Sequence, residues 1–119
     1  MKNKKEFRMY SMALYQLSGI QAGIQAGHAW VEYGVKTKDV KRYEEWAENH
    51  KTVIVLDGGT TNTMKEHIKM LNKLDIECVE FHEPDLGGVV TAFSFLLDSD
   101  QMSDPLISIF LRKFKLHGK

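Results

Sequence analysis

From Arg8 to Leu17 the chain reads R-M-Y-S-M-A-L-Y-Q-L, apolar and tyrosine-rich with modest alternation, which predicts a first, central strand. Ser18-Gly19 reads as a turn, with Ser18 placed to cap the helix that follows. That helix runs to about Tyr33, and Gly34 suits its end. Its residues advance roughly 100° each. Gln21, Gln25, His28 and Glu32 then share one narrow stripe. Ile20, Ile24, Gly27 and Val31 flank the stripe on one side; Ala22, Ala26, Ala29 and Tyr33 flank it on the other. A solvent face is ordinarily wide and rich in Lys and Glu. The thin, amide-rich stripe has two readings. One is a helix buried on both flanks, with a polar edge looking into a cleft. The other is a core helix whose His and Gln satisfy local hydrogen bonds.

A second helix is predicted from about Asp39 to His50, where Val40, Tyr43, Trp46 and Ala47 recur at helical spacing. Thr52-Val53-Ile54-Val55-Leu56 is continuous and β-branched, the pattern of a strand covered on both faces. After the loop Asp57–Asn62, Thr63 with Glu66 three residues on forms a capping-box pattern, and a helix runs to about Leu74. Ile76–His82 is a third strand with partial alternation. Val89 to Leu97 is a fourth, with Thr91, Phe93 and Phe95 alternating against Ala92, Ser94 and Leu96. Pro105 suits the first turn of a last helix whose apolar face is Leu106, Ile107, Phe110, Leu111 and Phe114. The order β-α-α-β-α-β-β-α implies an α/β domain: a four-stranded mixed sheet with helices on both faces.

Composition narrows the class. A chain of 119 residues is one domain. No run of 18 apolar residues occurs, so no membrane span is expected. The basic start Met1-Lys2-Asn3-Lys4-Lys5 is not followed by an apolar signal core, and residues 1–7 read as a flexible basic arm. The single cysteine, Cys78, fits a reducing cytoplasm and reads as a small core residue in the third strand. Lys and Arg balance Asp and Glu at 16 each, which argues against a general nucleic-acid binder. The distribution is uneven. Lys2, Lys4, Lys5 and Arg8 gather at one terminus and Arg112, Lys113, Lys115 and Lys119 at the other, while residues 74–111 hold acids but no Lys or Arg. Two basic ends lying together would make a patch for phosphates; solvated termini are the alternative.

Candidate chemistry gathers at few places. Asp57-Gly58-Gly59-Thr60-Thr61 lies between a strand and a helix, but it lacks a P-loop's Lys and a dinucleotide fingerprint. A glycine turn before a capped helix explains it as well. His82, Asp85 and His28 lack metal-ligand spacing, so no metal is expected, and no cofactor. The stronger candidate is convergence at the sheet's edge, where ligands of open α/β sheets sit. Ser18, Gly19 and Gln21 follow the first strand and Asp85 follows the third. Parallel strands would face Asp85 toward the helix N-terminus, where amides hold anions. An ionised Asp85 orients or deprotonates a water there, and amides or Gln21 stabilise an oxyanion, with Thr91 donating a hydrogen bond. The plain alternatives are that Asp85 shapes a turn and Thr91 is an ordinary strand residue.

Gln25-Ala26-Gly27-His28-Ala29, after a strand and in the first helix, resembles the helix-one signature of the type-two peptidyl-tRNA hydrolases, G-K-x-x-A-Q-x-A-H-A. Glu83-Pro84-Asp85-Leu86-Gly87-Gly88-Val89-Val90-Thr91-Ala92 resembles that family's aspartate loop and the strand after it. The likeness covers about residues 8 to 115. It implies a four-stranded mixed sheet flanked by helices, cleavage of the ester between a peptide and tRNA, tRNA as partner and a homodimer. The family's glutamine falls on Gln25, its histidine on His28, its aspartate on Asp85 and its threonine on Thr91. Asp85, Gln21, His28 and Thr91 are the catalytic candidates; Ser18, Gly19 and Gln25 are the substrate-binding ones. One departure stands out: the family's glycine-lysine pair falls on Ile20-Gln21, and glutamine donates a hydrogen bond without charge. Two functions follow, a peptidyl-tRNA hydrolase with an atypical site, or a non-catalytic homologue that binds a nucleotide, RNA or protein.

Overall fold

Strand β1 (Phe7–Leu14) lies inside a four-stranded sheet, and apolar side chains on both its faces are buried. In the computed structural model, which describes residues 5–119, β2 (Val53–Gly59) runs parallel to β1 on one side. On the other side β4 (Val89–Asp98) runs antiparallel, and β3 (Val79–Glu83) pairs antiparallel with β4 at the far edge. The order is β2-β1-β4-β3, so β1, β2 and β3 point the same way and end at one edge. The β2 edge is covered in part by the C-terminal tail, where Leu116 bridges Leu56 and the Asp57 N–H donates to the Lys115 carbonyl. Among the described residues, no helix is long and apolar enough to cross a membrane.

Helix α1 (Gly19–Lys36) packs on one face of the sheet. Its Ala22, Ala26 and Ala29 are buried, and Ala22 and Ala29 cluster with Ala13 and Ala92 of the sheet. Small residues on both partners let the backbones approach closely, and the Ser11 and Ser94 hydroxyls there satisfy each other at 2.6 Å. The opposite face is larger and aromatic. Met12, Phe93, Phe95 and Leu97 meet Met64 and Leu71 of α3 (Thr61–Lys73) and Ile107 and Phe110 of α5 (Pro105–Leu111).

Several boundaries depart from the sequence reading, each for a local reason. α1 does not stop at Gly34; it continues to Lys36 and ends at Thr37. Gly34 serves packing instead, since a Cβ there would collide with the Tyr43 ring. The second helix divides into α2 (Val40–Glu45) and a π-helical turn, Trp46–His50, closed by Lys51 at φ 62. The Trp46 indole N–H donates to the Thr52 carbonyl, holding that turn against the start of β2. α3 begins earlier than Thr63. Thr60 is its cap, Thr63 is the reciprocal partner, and Glu66 pairs with Lys69 at 3.4 Å. Cys78 lies just before β3, half-buried, and burial pushes its thiol up to about 12. A short helix α4 (Ser99–Ser103) precedes α5, on which Leu106 is exposed and not part of the core.

Two larger expectations are also corrected. α1 is not buried on both flanks: the alanine arc is covered, while Ile20, Ile24 and Val31 are exposed. Nor do the basic ends meet within the described residues. Lys5 pairs with Asp98 and Asp100 where β1 begins, and the Glu6 N–H donates to Ser99, so residues 5–7 are held and not a free arm. The rest of that arm, with Lys2 and Lys4, lies outside the described residues. The C-terminal tail sits at the other end of β1, where His117 Nε2 donates to the Leu14 carbonyl at 2.7 Å.

Candidate functional site

The carboxyl ends of β1 and β3 build the site. After Leu14 the chain turns, and Ser18 caps α1 in extended conformation, as its sequence position suggests. The Ser18 hydroxyl accepts from the Gln21 N–H, and the Gln21 side-chain carbonyl accepts from the Ser18 N–H, each at 3.2 Å. Gln21 is thus half of a capping box, and its side-chain oxygen is occupied. The Ala22 N–H already donates to the Ser18 carbonyl. The N–H groups of Gly19 and Ile20 remain without partners among the described residues, at the positive end of an 18-residue helix with no acid in its first turn. Nothing lies within 4 Å of where a Gly19 Cβ would stand, so this end is open.

Deeper along α1, Gln25 ties three elements together. Its side-chain N–H donates to Glu83 at 2.9 Å, and its side-chain oxygen accepts from the Thr91 hydroxyl at 2.5 Å. An ionised carboxylate only accepts, so Glu83 fixes the amide orientation and leaves the Thr91 hydroxyl as donor. Thr91 reaches α1 because of a β-bulge. Phe81 pairs with Ala92 and His82 with Val90, which leaves Thr91 as the extra residue. A bulge resets which face a side chain takes. Thr91 therefore joins Ala92 on the α1 side, and does not alternate with Phe93 and Phe95 as the sequence pattern suggests.

Asp85 sits at the middle of a single 3-10 turn, Pro84–Leu86, directly after β3. Glu83 caps that turn, accepting from the Asp85 N–H at 3.5 Å, so the carboxylate that holds Gln25 also positions the aspartate loop. Gly87 and Gly88 follow at φ 74 and 83; two consecutive left-handed residues are the reason for a glycine pair here. Their N–H groups donate to the Pro84 and Glu83 carbonyls and close the loop. The Asp85 carboxylate is exposed and pairs with no Lys, Arg or hydrogen-bond donor among the described residues.

The sequence-predicted residues therefore divide. Gln25 and Thr91 are bonded to each other, and Asp85 is joined to them through Glu83. Ser18, Gly19 and Gln21 form the helix end, with no hydrogen bond to Asp85 among the described residues. Gln25 lies six residues beyond Gly19, about 9 Å along the helix axis, so the open amides and the Gln25–Glu83 contact occupy separate turns of α1. His28 is exposed and stacks on Phe81, ring centroids 4.7 Å apart, without joining the network. His82 bonds the Gly88 carbonyl and Glu80, and among the described residues no group of three or more His, Cys, Asp or Glu could hold a metal ion.

Glu83 is the residue that sequence reasoning left out; only its place beside Asp85 hinted at it. Tyr33, further along α1, is buried near Thr37, and burial pushes its phenol up to about 12. It belongs to the packing of α1 and α2. Comparison of the chain with protein-family models finds no match, and comparison with curated proteins finds none.

Proposed function

We propose that this protein is an ester hydrolase of the peptidyl-tRNA hydrolase type, with the two-motif likeness in α1 and the aspartate loop as the starting point. The observation that carries the proposal is the Asp85 carboxylate, unpaired among the described residues, on a loop anchored through Glu83 and Gln25 to a helix whose first two amides are likewise without partners there. In this reading Asp85 accepts a proton from a water as its oxygen attacks the ester carbonyl. The Gly19 and Ile20 N–H groups, with the free amide end of Gln21, hold the developing oxyanion. Collapse breaks the bond to the tRNA ribose oxygen, which takes the proton back from Asp85. Thr91, Gln25 and Glu83 position the loop. The tail docked on Leu14 brings exposed Lys115 and Lys119 to the same end of the sheet, where they would meet phosphates.

The test is release of peptide from an N-blocked aminoacyl-tRNA, compared between wild type and Asp85→Ala. Turnover abolished by the substitution is the expected result; equal turnover overturns it. A second reading has its own observation. Gln21 stands where the resembled family has lysine, and its carbonyl is spent on the Ser18 cap. A non-catalytic homologue that binds RNA, a nucleotide or a protein at the same end of the sheet fits that feature, and its binding would be indifferent to Asp85→Asn.

A further inference from the structure

On the sheet face opposite α1, a hollow of about 380 Å³ opens between α3 and the end of α5. Two short stretches line it. Glu66, His67 and Met70 lie within one turn of α3, and Phe110, Lys113 and Phe114 recur at helical spacing. That spacing persists past the end of α5 because the Lys113 and Phe114 N–H groups donate to the Phe110 and Leu111 carbonyls, each at 3.2 Å. Aromatic contacts fix the wall. The His67 ring stands edge-on to Phe114, centroids 4.6 Å apart, and Phe110 packs edge-on to Phe114 at 5.0 Å. Met70 is 41% exposed, so its thioether is open to an occupant of the hollow.

The polar groups at the rim are unequally committed. Glu66 pairs with Lys69 at 3.4 Å. Among the described residues, the side chains of Lys113 and His67 make no hydrogen bond or ion pair. Burial, and then the Lys113 ammonium, hold the His67 imidazole below its ordinary range. At neutral pH the ring is therefore uncharged and offers one N–H donor. With Glu66 cancelling Lys69, the rim keeps a single positive charge, that of Lys113. One cation beside one N–H donor, above an aromatic and thioether wall, complements a flat apolar body bearing one carboxylate. A phosphate dianion fits less well, since it needs more donors and meets the Glu66 carboxylate. The volume of about 380 Å³ is at the small end of ligand pockets, which span roughly 300–1,000 Å³, so the ligand is small.

We propose that the hollow between α3 and the end of α5 binds a small aromatic monocarboxylate. The Lys113 ammonium and the His67 N–H hold the carboxylate, and Phe110, Phe114 and Met70 hold the ring. Such a ligand ties α3 to the segment that runs on into the C-terminal tail, where the Asp57 N–H donates to the Lys115 carbonyl. A ligand that binds only the folded arrangement of these two stretches stabilises it by mass action. The hollow lies apart from the hydrolase site, because none of its lining residues belongs to α1 or to the aspartate loop.

Isothermal titration calorimetry of the full chain with indoleacetate tests it. Indoleacetamide serves as the probe without the charge, and acetate as the probe without the ring. Indoleacetate is expected to bind at a single site with Kd on the order of 0.1 mM, and each control about fivefold more weakly or worse. Amide shifts in proton–nitrogen correlation spectra are expected to gather at residues 66–70 and 110–114. Lys113→Met keeps an apolar stem and removes the charge, so it weakens indoleacetate about fivefold or more and leaves indoleacetamide within about twofold. Lys113 is exposed, so the fold tolerates the change, which an unchanged melting curve checks. Lys113→Arg keeps the charge and retains binding. The proposal is overturned by no saturable binding of indoleacetate up to about 10 mM, far above the expected Kd. It is overturned equally by indoleacetate binding no tighter than either control, by equal affinity in wild type and Lys113→Met, or by shifts centred away from the hollow.

Discussion

At the end of the sheet where β1 begins and β4 finishes, Asp98 is buried and fully partnered. Arg42 donates to it at 2.6 Å, the Gln101 N–H at 2.9 Å, and Lys5 stands 3.8 Å away. Arg42 also bonds the Leu96 carbonyl and Gln101 and lies over the Phe7 ring. At the opposite end Asp85 is exposed and has no cation among the described residues, although its loop is held in place by Glu83, Gln25 and Thr91. Burial pushes the Asp98 carboxyl up, but the Gln101 N–H, Arg42 and Lys5 outweigh it and hold the group below its ordinary range. One carboxylate is consumed by the fold. The other is supported by the fold but left available, and this distinguishes a structural acid from a candidate base.

Breaking the closed end has the largest effect. Asp98→Ala leaves Arg42 without its main partner and removes the α4 cap, and we expect a loss of about 3 kcal/mol in urea unfolding. The pH dependence has a definite sign. A folded-state pKa below the unfolded value gives stability that is present above about pH 4. That contribution is lost as pH falls through the depressed folded value, so Asp98→Asn flattens the acid limb of stability measured against pH. At the open end, Thr91→Val strands the Gln25 oxygen inside the protein and costs about 1 to 3 kcal/mol by thermal or urea melting. A double-mutant cycle with Gln25→Ala returns less than the sum of the single effects. Lys115→Ala lowers the slope of log affinity for tRNA against log salt by about 1 while leaving stability in place. Asp85→Asn has the smallest effect on the fold, within about 0.5 kcal/mol, because its side chain is exposed and makes no hydrogen bond or ion pair among the described residues.

The α/β class and most elements were legible because periodicity is a strong signal. Val53–Leu56 is continuous and β-branched, and the Ala22, Ala26, Ala29 arc recurs at helical spacing. What escaped was set by tertiary contact. Gly34 looks like a helix stop and is a seat for Tyr43. Thr91 looks like a partner of Phe93, and only the pairing of β3 with β4 reveals the bulge that turns it toward Gln25. Both arcs of the α1 wheel look equally apolar, and nothing in the wheel says which one the sheet covers. Asp85 was legible as a loop aspartate at a strand end, but the role of Glu83 in tying it to α1 depends on a contact 58 residues apart in the chain.

The most direct test of the central claim is single-turnover release of peptide from an N-blocked aminoacyl-tRNA by wild type and Asp85→Asn, each checked for an unchanged melting curve. The account predicts release by the wild type and its loss in the variant at equal stability. Absence of release from folded wild type, or equal release by both proteins, contradicts Asp85 as the base.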